Sequence, residues 1–163
     1  MDRMTCSGTR YNGAVRGRRV GHEVIVFGYI EGADPEWLRA LNADALAGLP
    51  TEDEWPWLVR GMFALPAGWP QGTYRAHVIH FGASLKDEPQ DRSCWDVWLQ
   101  KFEALLRCMY WWSVTVHMQT EFEPDRVFRW VPSKAAVDGM LADSPHCVQE
   151  WERSVAVLPA EPT

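Results

Sequence analysis

Two spacings of apolar residues alternate along the chain, one repeating every second position and one every third or fourth, and they divide it into strands and helices. His22 to Ile30 (HEVIVFGYI) is an unbroken β-branched and aromatic run and predicts a strand buried on both faces. Asp34-Pro35-Glu36 then opens a helix, with Asp as N-cap, Pro in the first helical position and Glu in the first turn. Leu38, Leu41 and Ala45 keep its spacing and Gly48 stops it. Trp55 to Leu65 fits two descriptions. Trp55, Leu58, Val59, Met62 and Phe63 make a helical stripe behind a Thr51/Glu54 capping box, but Pro56 and Gly61 interrupt it. The PAGWPQG loop that follows favours a strand, forming a hairpin with Thr73 to Gly82.

Ser93, with Asp96 three residues on, starts the best-defined helix. Trp95, Trp98, Leu99, Phe102, Leu105, Leu106 and Met109 form its apolar face, and Glu103 and Arg107 are spaced for an ion pair on the wet side. From Trp112 to Phe122 the pattern alternates: Trp112, Val114, Val116, Met118 and Phe122 face one way, while Ser113, Thr115, His117, Gln119 and Glu121 face the other. This predicts an antiparallel strand with one open face. A three-residue turn, Glu123-Pro124-Asp125, then pairs Phe122 with Arg126 and sets Phe128 and Trp130 beside Thr120 and Met118. A two-residue turn would put Arg129 on the apolar face instead, so burial selects the longer one. From Ser133 the tail reads as two short helices broken near Ser144-Pro145.

The order β-α-β-β-α-β-β-α-α predicts an α+β fold: a mainly antiparallel sheet of about five strands with helices packed on one face. The other face, carrying His117, Gln119 and Glu121, is left for solvent or a partner. No repeat or linker divides residues 21–163, which read as a single domain behind a flexible Arg-rich arm, residues 1–20.

Composition narrows the function classes. A length of 163 residues, 47% hydrophobic and 23% charged, fits one globular domain and excludes a disordered chain, a coiled coil or a collagen-like repeat. No run approaches the roughly 18 apolar residues of a membrane span, and the N-terminus lacks an apolar secretory core, so the expected compartment is the cytoplasm. Net charge is −6, and because Arg3, Arg10, Arg16, Arg18 and Arg19 oppose only Asp2 in the arm, the body is more acidic than the whole. Such a body repels phosphates and attracts basic partners, so nucleic acid is not an expected ligand. The arm offers the one contrary signal, RGRR at 16–19. Cys6, Cys94, Cys108 and Cys147 contain no Cys-x-x-Cys pair and read as buried free thiols.

Catalytic chemistry finds few foundations. His77, His80, His117 and Glu121 are residue types that bind metals or move protons. Residues three apart on a strand point to opposite faces, which separates His77 from His80. His117 and Glu121 share a face but lie about 13 Å apart at about 3.3 Å per residue. A cross-strand His77–His117 pair stays open. Cys94, Cys108 and Cys147 have no base at a telling spacing, and Gly13, Gly17 and Gly21 lack the strand-then-helix context of a phosphate loop. No metal or cofactor is expected. Nine of the ten tryptophans divide between packing and surface: Trp37, Trp95, Trp98, Trp112 and Trp130 on core faces, Trp55, Trp57, Trp69 and Trp111 in loops or off the apolar face. Beside these lie acidic groups, Glu52-Asp53-Glu54, Asp87-Glu88 with Asp91, and Glu121, Glu123 and Asp125. Aromatics within an acidic rim suit a surface that binds a basic protein.

The run Trp98, Phe102-Glu103-x-Leu105-Leu106, Trp111-Trp112, Thr120-Glu121-Phe122 and Phe128-x-Trp130 resembles small bacterial immunity proteins of polymorphic-toxin systems, of the contact-dependent or type VI kind. The resemblance covers residues 93–132. It implies a compact, acidic, Trp-rich α+β protein encoded beside a secreted toxin, whose active site it occludes. The expected function is therefore non-catalytic neutralisation of a cognate toxin in the cytoplasm. Asp87, Glu88, Asp91, His117, Gln119, Glu121, Glu123 and Asp125 are the expected contact residues. The alternative is a small metal-dependent or His/Glu acid–base hydrolase using His77, His117 and Glu121.

Overall fold

The computed structural model describes residues 23–32, 36–65, 77–86, 93–120, 124–140 and 147–159. In chain order these form β1 (Glu23–Glu31), α1 (Glu36–Ala47), β2 (Phe63–Ala64), β3 (Val78–Lys86), α2 (Ser93–Leu106), β4 (Ser113–Thr120), β5 (Arg126–Pro132), α3 (Lys134–Met140) and β6 (Trp151–Val157). The strands build one six-stranded sheet in the order β2-β3-β1-β4-β5-β6, and each neighbouring pair is antiparallel. The expected α+β architecture is present, with one strand more than expected. The tail explains the addition: Trp151–Val157 is a strand beside β5, where a second short helix was expected. The expected break at Ser144-Pro145 lies outside the described residues, as does the Arg-rich arm.

The core lies on one side of the sheet. Val24, Val26 and Ile30 of β1, Ile79 and Phe81 of β3, Val114 and Val116 of β4, and Phe128 and Trp130 of β5 point into it. The α2 stripe closes it from above, with Trp98, Phe102 and Leu106 wholly buried. Phe102 stacks on Trp98 at 5.0 Å and meets Phe81 at 5.2 Å and Trp130 at 5.7 Å. Gly28, in the middle of β1, makes room for this layer. A Cβ there would collide with the Thr115 carbonyl and the Phe81 ring. Helix α1 joins the same core through Leu38 and Leu46, and its buried Asn42 ties it to the chain after α2.

Several expectations are corrected by this packing. β1 is buried on one face only: Ile25 and Phe27 are each 38% exposed, because the described helices cover just the other side. Trp111, expected off the apolar face, is fully buried and donates to the Leu106 carbonyl, whereas Trp112 and Trp37, expected in the core, are exposed. The strand begins one residue after Trp112, so the alternation does not extend back to it. β4 and β5 keep the expected faces but not the expected register. Met118 pairs with Arg126, and Val116 and Val114 pair with Phe128 and Trp130, so the connection is longer than three residues. Arg107 is exposed, as the wet-side reading expects, and Glu103 is half-buried, but both reach across to β6 and its approach. Glu103 accepts from Trp130 Nε1 and from Arg153, while Arg107 lies over the Trp151 ring at 4.4 Å. Cys108, expected to be buried, is exposed, and Cys147 is half-buried.

The stretch from Trp55 to Leu65 is mostly irregular, with a 3₁₀ turn at Arg60–Met62 leading into the two residues of β2. A side-chain clamp replaces the ladder there. Asp53 accepts from the Glu54 and Leu58 amides, and Lys101 Nζ from α2 donates to Asp53 and to the Glu54 and Pro56 carbonyls at 2.7–3.0 Å. Partial burial pushes the Asp53 carboxyl up, but the Lys101 hydrogen bond and charge and the two amides outweigh it and hold the group below the ordinary carboxylate value. The stabilisation is therefore present above the unfolded-state value and is lost as pH falls through the lower folded one. Asp53→Ala should cost about 1–2 kcal/mol at neutral pH and nothing extra in acid, read from denaturant titrations at both pH values.

Candidate partner-binding face

The strand register sets out what the sheet presents on the side that the described helices leave uncovered. Across its middle run Gly82, Phe27, His117, Val127 and Ala156, one from each strand from β3 to β6. A second row holds His80, Tyr29, Thr115, Arg129 and Ser154, of which Thr115 is buried and Tyr29 half-buried. Phe27 stacks face to face on His117, with centroids 4.7 Å apart and planes within 10°. Gly82 adds no side chain beside Phe27, so the ring is open on that flank; a Cβ there would lie 3.3 Å from Phe27 Cβ. Ile25 continues the apolar centre along β1. Hydrogen-bonded polar pairs mark the borders: Ser84 donates to Glu23, Ser113 to Glu31, and Gln119 to Asp125 at 2.9 Å. Exposed apolar groups within a polar rim are the usual make-up of a protein-binding surface.

Of the expected contact residues, the structure brings His117, Gln119 and Asp125 together on this face and its border. Gln119 and Asp125 are engaged with each other, so the Asp125 carboxylate has an internal donor. Asp87, Glu88, Asp91, Glu121 and Glu123 lie outside the described residues. Sequence reasoning missed Ile25 and Phe27. Their signal was present in the helix count, which supplies cover for one face of a β-branched strand and not for two.

The catalytic alternative loses its cross-strand pair. The His77 carbonyl accepts from Gly32 N beyond the end of β1, whereas His117 sits opposite Phe27, five residues back, about 16 Å at about 3.3 Å per residue. His77 is also buried, which with the nearby Arg39 charge holds its imidazole below the ordinary value and so neutral. His80 is exposed on the open face. Burial, reinforced by nearby Cys108, pushes the Cys147 thiol up, away from a nucleophile's thiolate state. Among the described residues no group of three or more His, Cys, Asp or Glu side chains is placed to hold a metal ion. A cavity of about 200 Å³ lies on the helical side, walled by Trp95, Leu99, Met118, Phe128, Arg126 and Arg153. Among the described residues no helix is long and apolar enough to cross a membrane. Comparison with protein-family models, curated proteins and solved structures returns no match for this chain.

Proposed function

We propose that the protein is a non-catalytic immunity protein that binds a cognate secreted toxin and occludes its active site. The uncovered sheet face serves as its docking surface. One observation carries the reading: Ile25 and Phe27, each 38% exposed at the centre of a sheet face, have polar and acidic side chains at their border. The acidic body supports it, since carboxylates around the contact area would stand in for the charge of a toxin's anionic substrate and speed encounter. We assign Asp125 with Gln119 to that rim and Phe27 with His117 to the centre. Asp87, Glu88, Asp91, Glu121 and Glu123 are further toxin contacts that we propose from the sequence alone. The resemblance of residues 93–132 to immunity proteins names the partner class, a toxin acting on a cytoplasmic target.

The test is co-expression with the product of the neighbouring gene, followed by binding titrations. Wild-type protein should co-purify with it and block its toxicity. Phe27→Glu puts a charge at the centre of the contact and should weaken binding by about 2 kcal/mol or more, roughly thirtyfold, while leaving the helical core intact. Asp125→Ala should mainly slow association in a salt-dependent way. If no neighbouring product binds, or Phe27→Glu binds as wild type does, the reading is wrong.

A further inference from the structure

Among the described residues strand β6 ends the sheet, and its hydrogen bonding fixes what its outer edge presents. Leu158 N donates to the Asp125 carbonyl and Ser133 N to the Glu150 carbonyl, both in register with the β5–β6 ladder. Antiparallel neighbours alternate between bonded and non-bonded pairs, so the even-numbered residues of β6 are the ones bonded to β5. The N–H and C=O groups of Trp151, Arg153, Val155 and Val157 therefore point outward, away from the sheet. The side chains of the same four residues stand on the helical side, opposite Pro132, Trp130, Phe128 and Arg126. The helical layer that buries Phe128 and Trp130 leaves Val155 51% and Val157 62% exposed. Edge strands usually carry a Lys, a Pro or an inward charge against pairing. β6 has no Lys or Pro, and its Arg153 is drawn to Glu103 at 2.8 Å.

We propose that β6 pairs with β6 of a second copy of this chain, antiparallel and centred on Ser154, so that two six-stranded sheets join edge to edge. The strand is complementary to itself in this register. Full overlap sets Trp151 against Val157, Arg153 against Val155, Glu152 against Ala156 and Ser154 against its own counterpart, with no like charges opposed. Each copy thereby covers exposed valines of the other with an aromatic ring or an aliphatic stem, pairings that stabilise antiparallel strands. Sliding the pair to centre on Arg153 opposes two guanidiniums, and centring it on Val155 leaves Trp151 beyond the partner strand. The dimer keeps the proposed toxin-binding face free on both copies and goes beyond that reading without resting on it.

The full chain should sediment as a dimer. Val155→Pro removes an outward N–H that the β5 ladder does not use, and edge positions of this kind tolerate proline. It should halve the mass and leave the far-ultraviolet spectrum unchanged. Cross-linking then reads the register. Ser154 and its counterpart form a non-bonded pair with Cα atoms about 4.5 Å apart, within disulfide reach, whereas two Ala156 residues lie about 14 Å apart at about 3.4 Å per residue. With oxidised glutathione, Ser154→Cys should give a covalent dimer above the wild-type background and Ala156→Cys should not. A wild-type chain that is monomeric at every concentration overturns the proposal. So does a dimer that survives a folded Val155→Pro, or cross-linking of Ala156→Cys equal to that of Ser154→Cys. Should Val155→Pro fail to fold, the two cysteine variants decide.

Discussion

Phe102→Ala is expected to lower the unfolding free energy by about 3–5 kcal/mol. Phe102 is completely buried and is the one ring in contact with Trp98 of its own helix, Phe81 of β3 and Trp130 of β5 among the aromatic contacts of the described residues. Removing it leaves three large rings around a void too apolar for water, and stiff indoles collapse poorly into such a space. Domains of this size are stable by only about 5–15 kcal/mol, so the variant should lie close to unfolding at physiological temperature. Guanidinium titration followed by tryptophan emission reads the loss directly. A cost below about 1 kcal/mol would mean that α2 does not clamp the sheet through this side chain.

The second large effect is expected at a polar position. Asn42 is 1% exposed, donates from Nδ2 to the Tyr110 carbonyl and accepts from the Tyr110 amide, both at 2.8 Å. Those two bonds fasten α1 to the segment between α2 and β4. Asn42→Asp keeps the shape but turns the donor into an acceptor facing the Tyr110 carbonyl and places a charge where water is excluded. The cost should be about 3 kcal/mol or more at neutral pH. Burial would raise the folded-state value of the new carboxyl above its unfolded one. Stability then falls as pH rises through the unfolded value, and acidification restores the neutral acid and its donor. Thermal unfolding at pH 7 and near pH 4 should therefore show a deficit against wild type that narrows in acid. A deficit independent of pH would exclude this account of Asn42.

These two side chains also mark what was legible from the sequence and what was not. The Trp98–Phe102–Leu106 stripe is one-sided and the structure keeps it. The Val114–Val116–Met118 alternation keeps its facing, but Ser113 and Thr115 on the opposite side of β4 are buried too. Alternation fixes only which residues share a face. The pairing of β4 with β5 differs from the expected one by an even number of residues, a slip that leaves every face unchanged and that the pattern cannot detect. β6 was invisible for the opposite reason. An edge strand with six of its seven residues exposed carries no burial rhythm, and its short apolar run also suits a helix. The open face was anticipated from His117, Gln119 and Glu121, but its apolar centre came from β1, whose unbroken run concealed two unlike sides. The clamp at Asp53 and the Asn42 lock join residues 48 and 68 positions apart and had no local signature.

Side-chain footprinting of the complex tests the central claim, that the uncovered sheet face receives the toxin. His80 and His117 stand on that face, while the exposed Cys108 stands on the helical side beside the groove between α1 and α2. Carbethoxylation of the two histidines and alkylation of the cysteine can be followed together by mass spectrometry, with and without the neighbouring gene's product. The account predicts that the toxin slows modification of His80 and His117 several-fold and leaves Cys108 as reactive as in the free protein. Protection of Cys108 with unchanged histidines would contradict it and move the interface to the helices.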